Sequence, residues 1–335
     1  MELFDAYRHC RLCPRRCGTD RTRGENKGFC GETGELRIAY VGPHFGEEPP
    51  LTGTRGSGTV FFSGCSLRCS FCQNHQISHD GIGRKFSCQE LAEALKDLAV
   101  RTRVHNLNFV TPDHFLPHLE RTVELIRQEG VPTPIMLNLS GYQSIEFLKI
   151  SSCFTDIYLP DYKYSESRLA ALLSSCPDYP RKALDAITEM VKQKGFLDAQ
   201  CEGAIASKGV LARHLILPGH VENSINAITN LYLEFGSELP LSLMSQYQPL
   251  KEHKDASLNR RISIEEFERV YGHCLDLGFE NLFIQFPEDN CLSVDGRSAF
   301  VPDFTSSTPF YFPGHSSVDN DGGGLLKKSH SSDFH

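Results

Sequence analysis

The sequence predicts an α/β fold, a partial TIM-type (β/α)6 barrel with an N-terminal Cys-rich extension. Three observations predict it. From residue 58 onward, short and nearly continuous apolar runs alternate with amphipathic segments. A run that is apolar on both faces is what a strand buried on both sides requires. The segments between these runs carry helix start and stop signals, so strand and helix alternate, which implies a parallel sheet with right-handed crossovers. Six or seven such units can close, or partly close, into a barrel whose chemistry sits at the C-terminal ends of its strands. The third observation is a cluster of Cys and Arg ahead of the first unit. The resulting division is residues 1–57 as Cys-rich extension and loop, 58–289 as core barrel and 290–335 as a disordered tail.

Taken in order, residues 1 to about 35 form the Cys- and Arg-rich head. The stretch Gly42 to Gly58, with Glu48-Pro49-Pro50-Leu51-Thr52-Gly53 inside it, is too rich in Gly and Pro for a regular element and reads as loop. Strands are expected at Thr59–Phe62, Leu107–Val110, Ile135–Leu139, Asp156–Leu159, Val210–Leu217, Leu241–Ser245 and Leu282–Phe286. Ser87-Cys88-Gln89-Glu90 is a capping box, after which Leu91, Leu95 and Leu98 recur on one helical face. Leu116, Leu119, Val123 and Ile126 form a second apolar stripe, stopped by Gly130. Ser263-Ile264-Glu265-Glu266 caps a third, in which Phe267, Val270, Tyr271 and Cys274 run to a stop at Gly278. From about Asn290 the chain turns rich in Ser, Asp, Gly and His, the composition of a poorly ordered tail.

The 335 residues, 40% hydrophobic and 23% charged, are ample for a buried core. A net charge of −8 argues against a general binder of nucleic acid or anionic membrane. Arg11, Arg15, Arg16, Arg21, Arg23 and Lys27 still crowd the head as a local basic patch. No segment approaches the roughly 18 apolar residues of a membrane span. The N-terminus lacks the layout of a signal peptide, so cytoplasmic residence is expected. Thirteen Cys, an odd number clustered at ligand spacing, read as thiolates in a reducing compartment rather than as a disulfide framework.

Cys65, Cys69 and Cys72 form a C-x3-C-x2-C triplet just past the first strand. A [4Fe–4S] cube takes four Cys, so three thiolates leave one iron open to a substrate or cofactor. Cys10, Cys13, Cys17 and Cys30 supply four thiolates, enough for a closed site holding structural zinc or an auxiliary iron–sulfur cluster, with plain thiols as the alternative. The arginines beside them should lower the thiol pKa values. Cys88, Cys153, Cys176, Cys201, Cys274 and Cys291 show no ligand spacing and read as small hydrophobes. His44, Glu47 and Glu48 fit either a contact with substrate or cofactor or an ordinary polar loop.

The triplet, with the aromatic Phe71 before its last Cys, resembles the signature of the radical S-adenosylmethionine (radical SAM) superfamily. The run Phe62-Ser63-Gly64-Cys65 through Cys72-Gln73-Asn74 is similar to the cluster loop of the pyruvate formate-lyase-activating-enzyme group. The chain from about Cys10 to Gln248 is similar to one uncharacterised subfamily of that group, through such stretches as His44-Phe45-Gly46-Glu47-Glu48-Pro49-Pro50, Val110-Thr111-Pro112-Asp113-His114, Ser140-Gly141-Tyr142 and Asp156 through Tyr164. The resemblance implies a barrel of the radical SAM kind. It implies a [4Fe–4S] cluster on Cys65, Cys69 and Cys72, and S-adenosylmethionine chelated to the open iron. One-electron cleavage would give a 5′-deoxyadenosyl radical that abstracts hydrogen. A flavodoxin or ferredoxin would supply the electron, and a glycyl-radical enzyme would be the partner activated.

Site residues follow by the same resemblance. Phe71 is expected near the adenine. Thr111 to His114 stand where most members carry Gly-Gly-Glu against the methionine amino group, so Thr111 or nearby carbonyls take that contact. Asn138 and Ser140 are expected to face the ribose, Asp161 and Lys163 match a functional Asp-x-Lys pair, and Arg213 matches an Arg that meets the cofactor. Read as residues alone, Asp161 and Lys163 could equally be a strand-end salt bridge. Arg213 could pair with a core carboxylate, and His214 reads as satisfying a hydrogen bond. Two other functions compete: an iron–sulfur or zinc scaffold or electron carrier without radical chemistry, and nucleic-acid modification with Arg11 to Lys27 as the phosphate-binding head.

Overall fold

The computed structural model describes residues 3–25, 27–199, 203–287, 293–294, 297–298, 300–310 and 326–327. After the head come β1 (Arg37–His44), a four-residue helix α1 (Pro49–Thr52), β2 (Ser57–Phe62), α2 (His75–Ser78) and β3 (Arg84–Lys85). Alternating units follow: α3 (Cys88–Asp97), β4 (Leu107–Val110), α4 (Leu116–Gln128), β5 (Ile135–Leu139), α5 (Ile145–Ser151), β6 (Ile157–Pro160), α6 (Ser167–Ser174) and α7 (Tyr179–Lys194). The set ends with β7 (Gly209–Val210), β8 (Ala212–Leu215), α8 (Val221–Phe235), β9 (Leu241–Met244), α9 (Ile264–Asp276) and β10 (Leu282–Ile284).

β2, β4, β5, β6 and β7 pair in parallel in that order, and so do β8, β9 and β10. Only Leu211 separates β7 from β8. The two sheets join where Tyr162 N–H donates to the Arg213 carbonyl at 2.8 Å beside a parallel Asp161–Arg213 bridge. The result is the expected α/β array of parallel strands curling as a partial barrel.

Side chains alternate along the strands. Val60, Phe62, Leu107, Phe109, Leu137 and Leu139 pack outward against Leu91, Leu95, Leu119, Val123 and Ile126 of α3 and α4. Met136, Ile157 and Leu159 form a separate cluster with Phe283 of the other sheet. Both predicted capping boxes are made, Ser87 with Glu90 and Ser263 with Glu266. The predicted stops, Gly130 and Gly278, have φ of 74° and 76°, which only Gly adopts freely.

Two expectations change. The stretch from Gly42 to Gly58, expected as loop, is mostly built into the fold. Gly42-Pro43-His44 end β1, which pairs antiparallel with β2, and fully buried Leu51 of α1 packs with Met136, Ile157 and Leu159. The apolar Pro50 and Leu51 have a core to enter, which outweighs the local Gly/Pro signal. A boundary at residue 57 therefore marks no physical separation.

The tail is the second change. Phe300–Phe310 packs on the barrel, with Phe304 buried against Phe61, Ile77 and Val110. Ser293–Val294 pairs with Arg297–Ser298, and Leu326–Lys327 pairs with β10. The remainder of the expected disordered tail lies outside the described residues, as do Cys201 and Cys291.

Tyr179, the first residue of α7, closes the strand ends. Its hydroxyl lies 2.8 Å from the Ser140 carbonyl and 2.9 Å from that of Asp161, and it accepts the Lys163 N–H at 2.9 Å. Gly141, at φ 81°, lets that convergence happen, since a Cβ there would sit 2.1 Å from the Asp161 carbonyl. Tyr179→Phe should therefore strand buried partners and cost about 1–3 kcal/mol of unfolding free energy. Urea denaturation with an unchanged slope would measure the loss; an unaltered midpoint would show the hydroxyl to be dispensable.

Candidate functional site

A cavity of about 220 Å³ opens at the C-terminal ends of the strands. The loop after β2 brings Cys65, Cys69, Phe71 and Cys72 to its wall, and Thr111 follows β4. Asn138 and Ser140 come from the end of β5, Asp161 and Lys163 from just past β6, and Arg213 from β8. Cys65, Cys69, Cys72, Phe71, Thr111, Asn138, Ser140, Asp161, Lys163 and Arg213 thus line one cavity, whereas Glu48 and the four Cys of the head do not.

Arg213 is the hub of the polar wall. Its Nε donates to Asp161 Oδ1 at 2.9 Å, one terminal nitrogen to Glu47 Oε2 at 3.2 Å and the other to Asn138 Oδ1 at 2.6 Å. Glu47 Oε1 accepts from Asn108 at 2.8 Å and Asn138 at 3.2 Å. Lys163 donates to the second oxygen of Asp161. The salt-bridge reading of Asp161, Lys163 and Arg213 is therefore realised, inside the cavity wall.

Burial alone would raise the Asp161 pKa, but Arg213 and Lys163 outweigh it and hold the carboxyl below its usual value. Burial would likewise lower Lys163, and Asp161 reverses that, so its ammonium is kept. Glu48 lies deeper; burial pushes its carboxyl up to about 7 against the pull of Arg213. His44 is driven toward the neutral form by burial. His214 donates from Nδ1 to the Tyr162 carbonyl at 2.6 Å, the hydrogen-bonding role expected of it.

The Cys loop is braced from beneath. Asp113 Oδ2 accepts from Ser66 Oγ at 2.7 Å, and His114 Nε2 meets the Ser63 carbonyl at 2.7 Å. Of the run Thr111 to His114, only Thr111 reaches the cavity. It does so with φ 55°, a conformation costly for a β-branched residue, while its N–H donates to the Asn138 carbonyl at 2.9 Å.

Burial, then the nearness of Cys69 and Cys72, raises the Cys65 pKa; burial and Cys69 do the same for Cys72. Cys65 and Cys72 therefore resist ionisation unless a cation offsets the charge. Leu67 N–H donates to Cys65 Sγ and Ser78 Oγ to Cys72 Sγ, each at 3.3 Å, the kind of outer contact that tunes a metal-bound sulfur. Among the described residues no three Cys, His, Asp or Glu side chains form a ligand set for one metal ion. In a cube each thiolate holds its own iron, so convergence on one point is not what a cluster needs. The donor set fits such a group.

The head wraps the far side of this loop. Arg15 donates to the carbonyls of Ser66, Leu67 and Ser174, and Cys65 N–H donates to the Cys30 carbonyl at 3.0 Å. Cys10, Cys13 and Cys30 are buried and Cys17 is exposed. Cys17 and Cys30 approach closely, since a Cβ on Gly28 would lie 3.5 and 3.3 Å from their sulfurs. Yet these four thiols do not form a single-ion set either.

The expected thiolate stabilisation by the arginines also fails in part. Burial raises Cys13, and it raises Cys30 to about 11 despite Arg21. Arg21 divides its donors between the carbonyls of Glu32, Thr33 and His114 and the Cys10 sulfur, which it meets at 3.6 Å, while Arg16 pairs with Glu146 and Arg23 with Asp20. These contacts leave less free basic charge for a phosphate backbone than the sequence suggested.

The sequence named no role for Ser66, Gln76, Phe300, Pro302 and Phe310. Phe300, Pro302 and Phe310 line the cavity from a segment whose composition signalled disorder. The others are single polar residues in the Cys loop and in α2, with no pattern to mark them.

Comparison with known proteins bears on the same region. Residues 59–196 match the model of the Radical SAM superfamily. An uncharacterized protein of Methanocaldococcus jannaschii is 27% identical over 277 residues, covering 79% of this chain and 73% of that protein. Among solved structures, Streptococcus suis SuiB bound to S-adenosylmethionine aligns at 11% identity with a TM-score of 0.45, over 66% of this chain and 48% of that one. Methylornithine synthase aligns at 17% identity with a TM-score of 0.42, over 66% and 60%. The chain thus spans about half to three-fifths of the length of these solved proteins. No helix among the described residues is long and apolar enough to cross a membrane. Over residues 59–196, this chain is thus similar to the Radical SAM superfamily.

Proposed function

We propose that the protein is a radical SAM enzyme that uses S-adenosylmethionine to abstract hydrogen from a substrate held in the strand-end cavity. The observation that carries this reading is the placement of Cys65, Cys69 and Cys72 on the same cavity wall as Asn138, Asp161, Lys163 and Arg213. A scaffold or electron carrier has no use for that polar wall. A [4Fe–4S] cluster on the three thiolates, given one electron by a low-potential donor, would cleave bound S-adenosylmethionine to methionine and a 5′-deoxyadenosyl radical.

The chain's own residues bind and orient. Lys163, kept charged by Asp161, offers N–H donors beside the Cys loop, where a carboxylate can be held. Arg213 commits three donors to Asp161, Glu47 and Asn138, so its main work is to fix those three side chains, with its remaining N–H groups available to the cofactor. Asn138 and Ser140 present amide and hydroxyl groups suited to ribose. Phe71, packed on Tyr164 and Tyr247, gives a rigid apolar face for a base. Installing a glycyl radical on a partner, which the resemblance implies, needs a peptide loop to enter the cavity. Phe300, Pro302 and Phe310 stand in its lining.

Anaerobically reconstituted protein should hold a cluster and form 5′-deoxyadenosine under reduction, and Cys69→Ala should lose both. A Cys69→Ala protein that still cleaves S-adenosylmethionine would sink the assignment. Lys163→Met should keep the cluster, measured as bound iron, yet bind S-adenosylmethionine about ten- to a hundredfold more weakly, the loss of one charge-assisted hydrogen bond of about 1.5–3 kcal/mol. Equal affinities in calorimetry would return Lys163 to a purely structural partner of Asp161.

A further inference from the structure

We propose that the apolar flank of this cavity, walled by the C-terminal segment Phe300–Phe310, is the substrate subsite, and that it takes a small uncharged molecule bearing an aromatic or similar apolar group. The proposal rests on the radical SAM reading for which part of the cavity is left to substrate.

The inner side of this flank is set by strand alternation. Val60 and Phe62 of β2 point into the helix-covered core, so Phe61 faces the cavity, as does Val110 at the end of β4. The outer side is the C-terminal segment. Phe310 packs against His44 at 4.4 Å and Phe61 at 4.9 Å between ring centroids, and Phe304 lies 5.4 Å from Phe61.

The segment is a built turn. Asp303 Oδ1 accepts the N–H and hydroxyl of Thr305 at 3.1 and 2.6 Å, and Asp303 N–H donates to the Pro309 carbonyl at 2.9 Å. It is fastened to the Cys loop's own helix. Gln76 of α2, four residues past Cys72, accepts the Phe304 N–H at 2.7 Å and donates to Asp303 at 3.4 Å.

The chemistry of this flank is uniform. Phe61, Val110, Phe300, Pro302 and Phe310 contribute only apolar surface, and burial keeps His44 neutral. A charged group would lose its hydration there without gaining a partner from Phe61, Val110, Phe300, Pro302 or Phe310. An aromatic or comparable apolar group gains ring contacts with Phe61 and Phe310. A glycine loop of a folded partner entering along this flank would meet a segment tied down at Gln76.

Indole serves as the probe, because the chain contains no Trp and indole emission is read without protein background. In the anaerobic, cluster-loaded enzyme with S-adenosylmethionine bound, indole should bind with blue-shifted emission. Phe310→Ala, which removes a wall ring, and Gln76→Ala, which only unfastens the wall, should each weaken binding at least fivefold. Leu233→Ala, at an exposed Leu on α8, should not. Failure of wild type to bind indole, or equal binding by wild type and both wall variants, overturns the proposal. Bound iron and 5′-deoxyadenosine are measured on the same samples. A wild type that binds indole as expected but holds no iron and forms no 5′-deoxyadenosine supports the subsite and refutes the radical reading. One that forms 5′-deoxyadenosine but does not bind indole does the reverse.

Discussion

The Arg213 guanidinium sits where the two sheets of the barrel meet, and it does two jobs that cannot be separated. β7 pairs with β6 and β8 pairs with β9, so the chain between residues 209 and 215 changes neighbours at Leu211. The seam is held by the backbone contact of Tyr162 with Arg213 and by the side-chain bonds of Arg213 to Asp161, Asn138 and Glu47. Burying a lone guanidinium would cost several kcal/mol, so the carboxylates are a condition of its being there. Hydrogen bonds to a charged group return about 1.5–3 kcal/mol each, enough for three to offset that cost. The groups that close the barrel are therefore also the groups that make one wall of the cavity polar.

Glu47 explains why the N-terminal extension is not an appendage. It reaches the strand ends from the connection between β1 and β2, the same connection that places Leu51 beside Met136 and Ile157. The head does the same for the Cys loop through Arg15 and Cys30. Gly64 shows how closely the two press together, since a Cβ there would meet the Cys30 carbonyl at 2.7 Å. A loop that must present three sulfurs is thus clamped from both sides, by the head below and by Asp113 and His114 behind. That rigidity is what a site doing reactive chemistry away from water requires.

The fold was legible where local signals and burial agree. The seven apolar runs are all strands within a residue or two, except that Val210–Leu217 is split at Leu211, because its two halves serve different neighbours. The capped helices α3 and α9 and the striped α4 were readable for the same reason. Helices α5 to α8 went unnamed. α6, α7 and α8 lack a side-chain cap, and α5 has only Ser144 to mark a seven-residue span. The site was legible because the Cys spacing and the strand-end residues lie in short motifs. What stayed hidden is what tertiary contact alone creates: the burial of Leu51, the pairing of Glu47 with Arg213, and the docking of Phe304 and Phe310 from a segment whose polar composition predicts no structure.

The buried charges of the cavity almost balance, and Glu48 decides the remainder. Arg213 and Lys163 supply two positive charges against the carboxylates of Asp161 and Glu47. Glu48 is the third carboxyl, buried, with one oxygen lacking a hydrogen-bond partner. Because burial raises its pKa to about 7, the folded chain keeps a proton on Glu48 through a range where the unfolded chain has released it. Its contribution to stability is complete below the ordinary glutamate range and declines as pH rises toward and past 7. Protonated, Glu48 leaves the set neutral, and Arg213 is shared by two anions rather than three. Ionised, it would place a third anion near the same guanidinium against the cost of its own burial. Arg213 stays bonded to Asp161, and Asp161 in turn keeps Lys163 charged at the edge of the cavity.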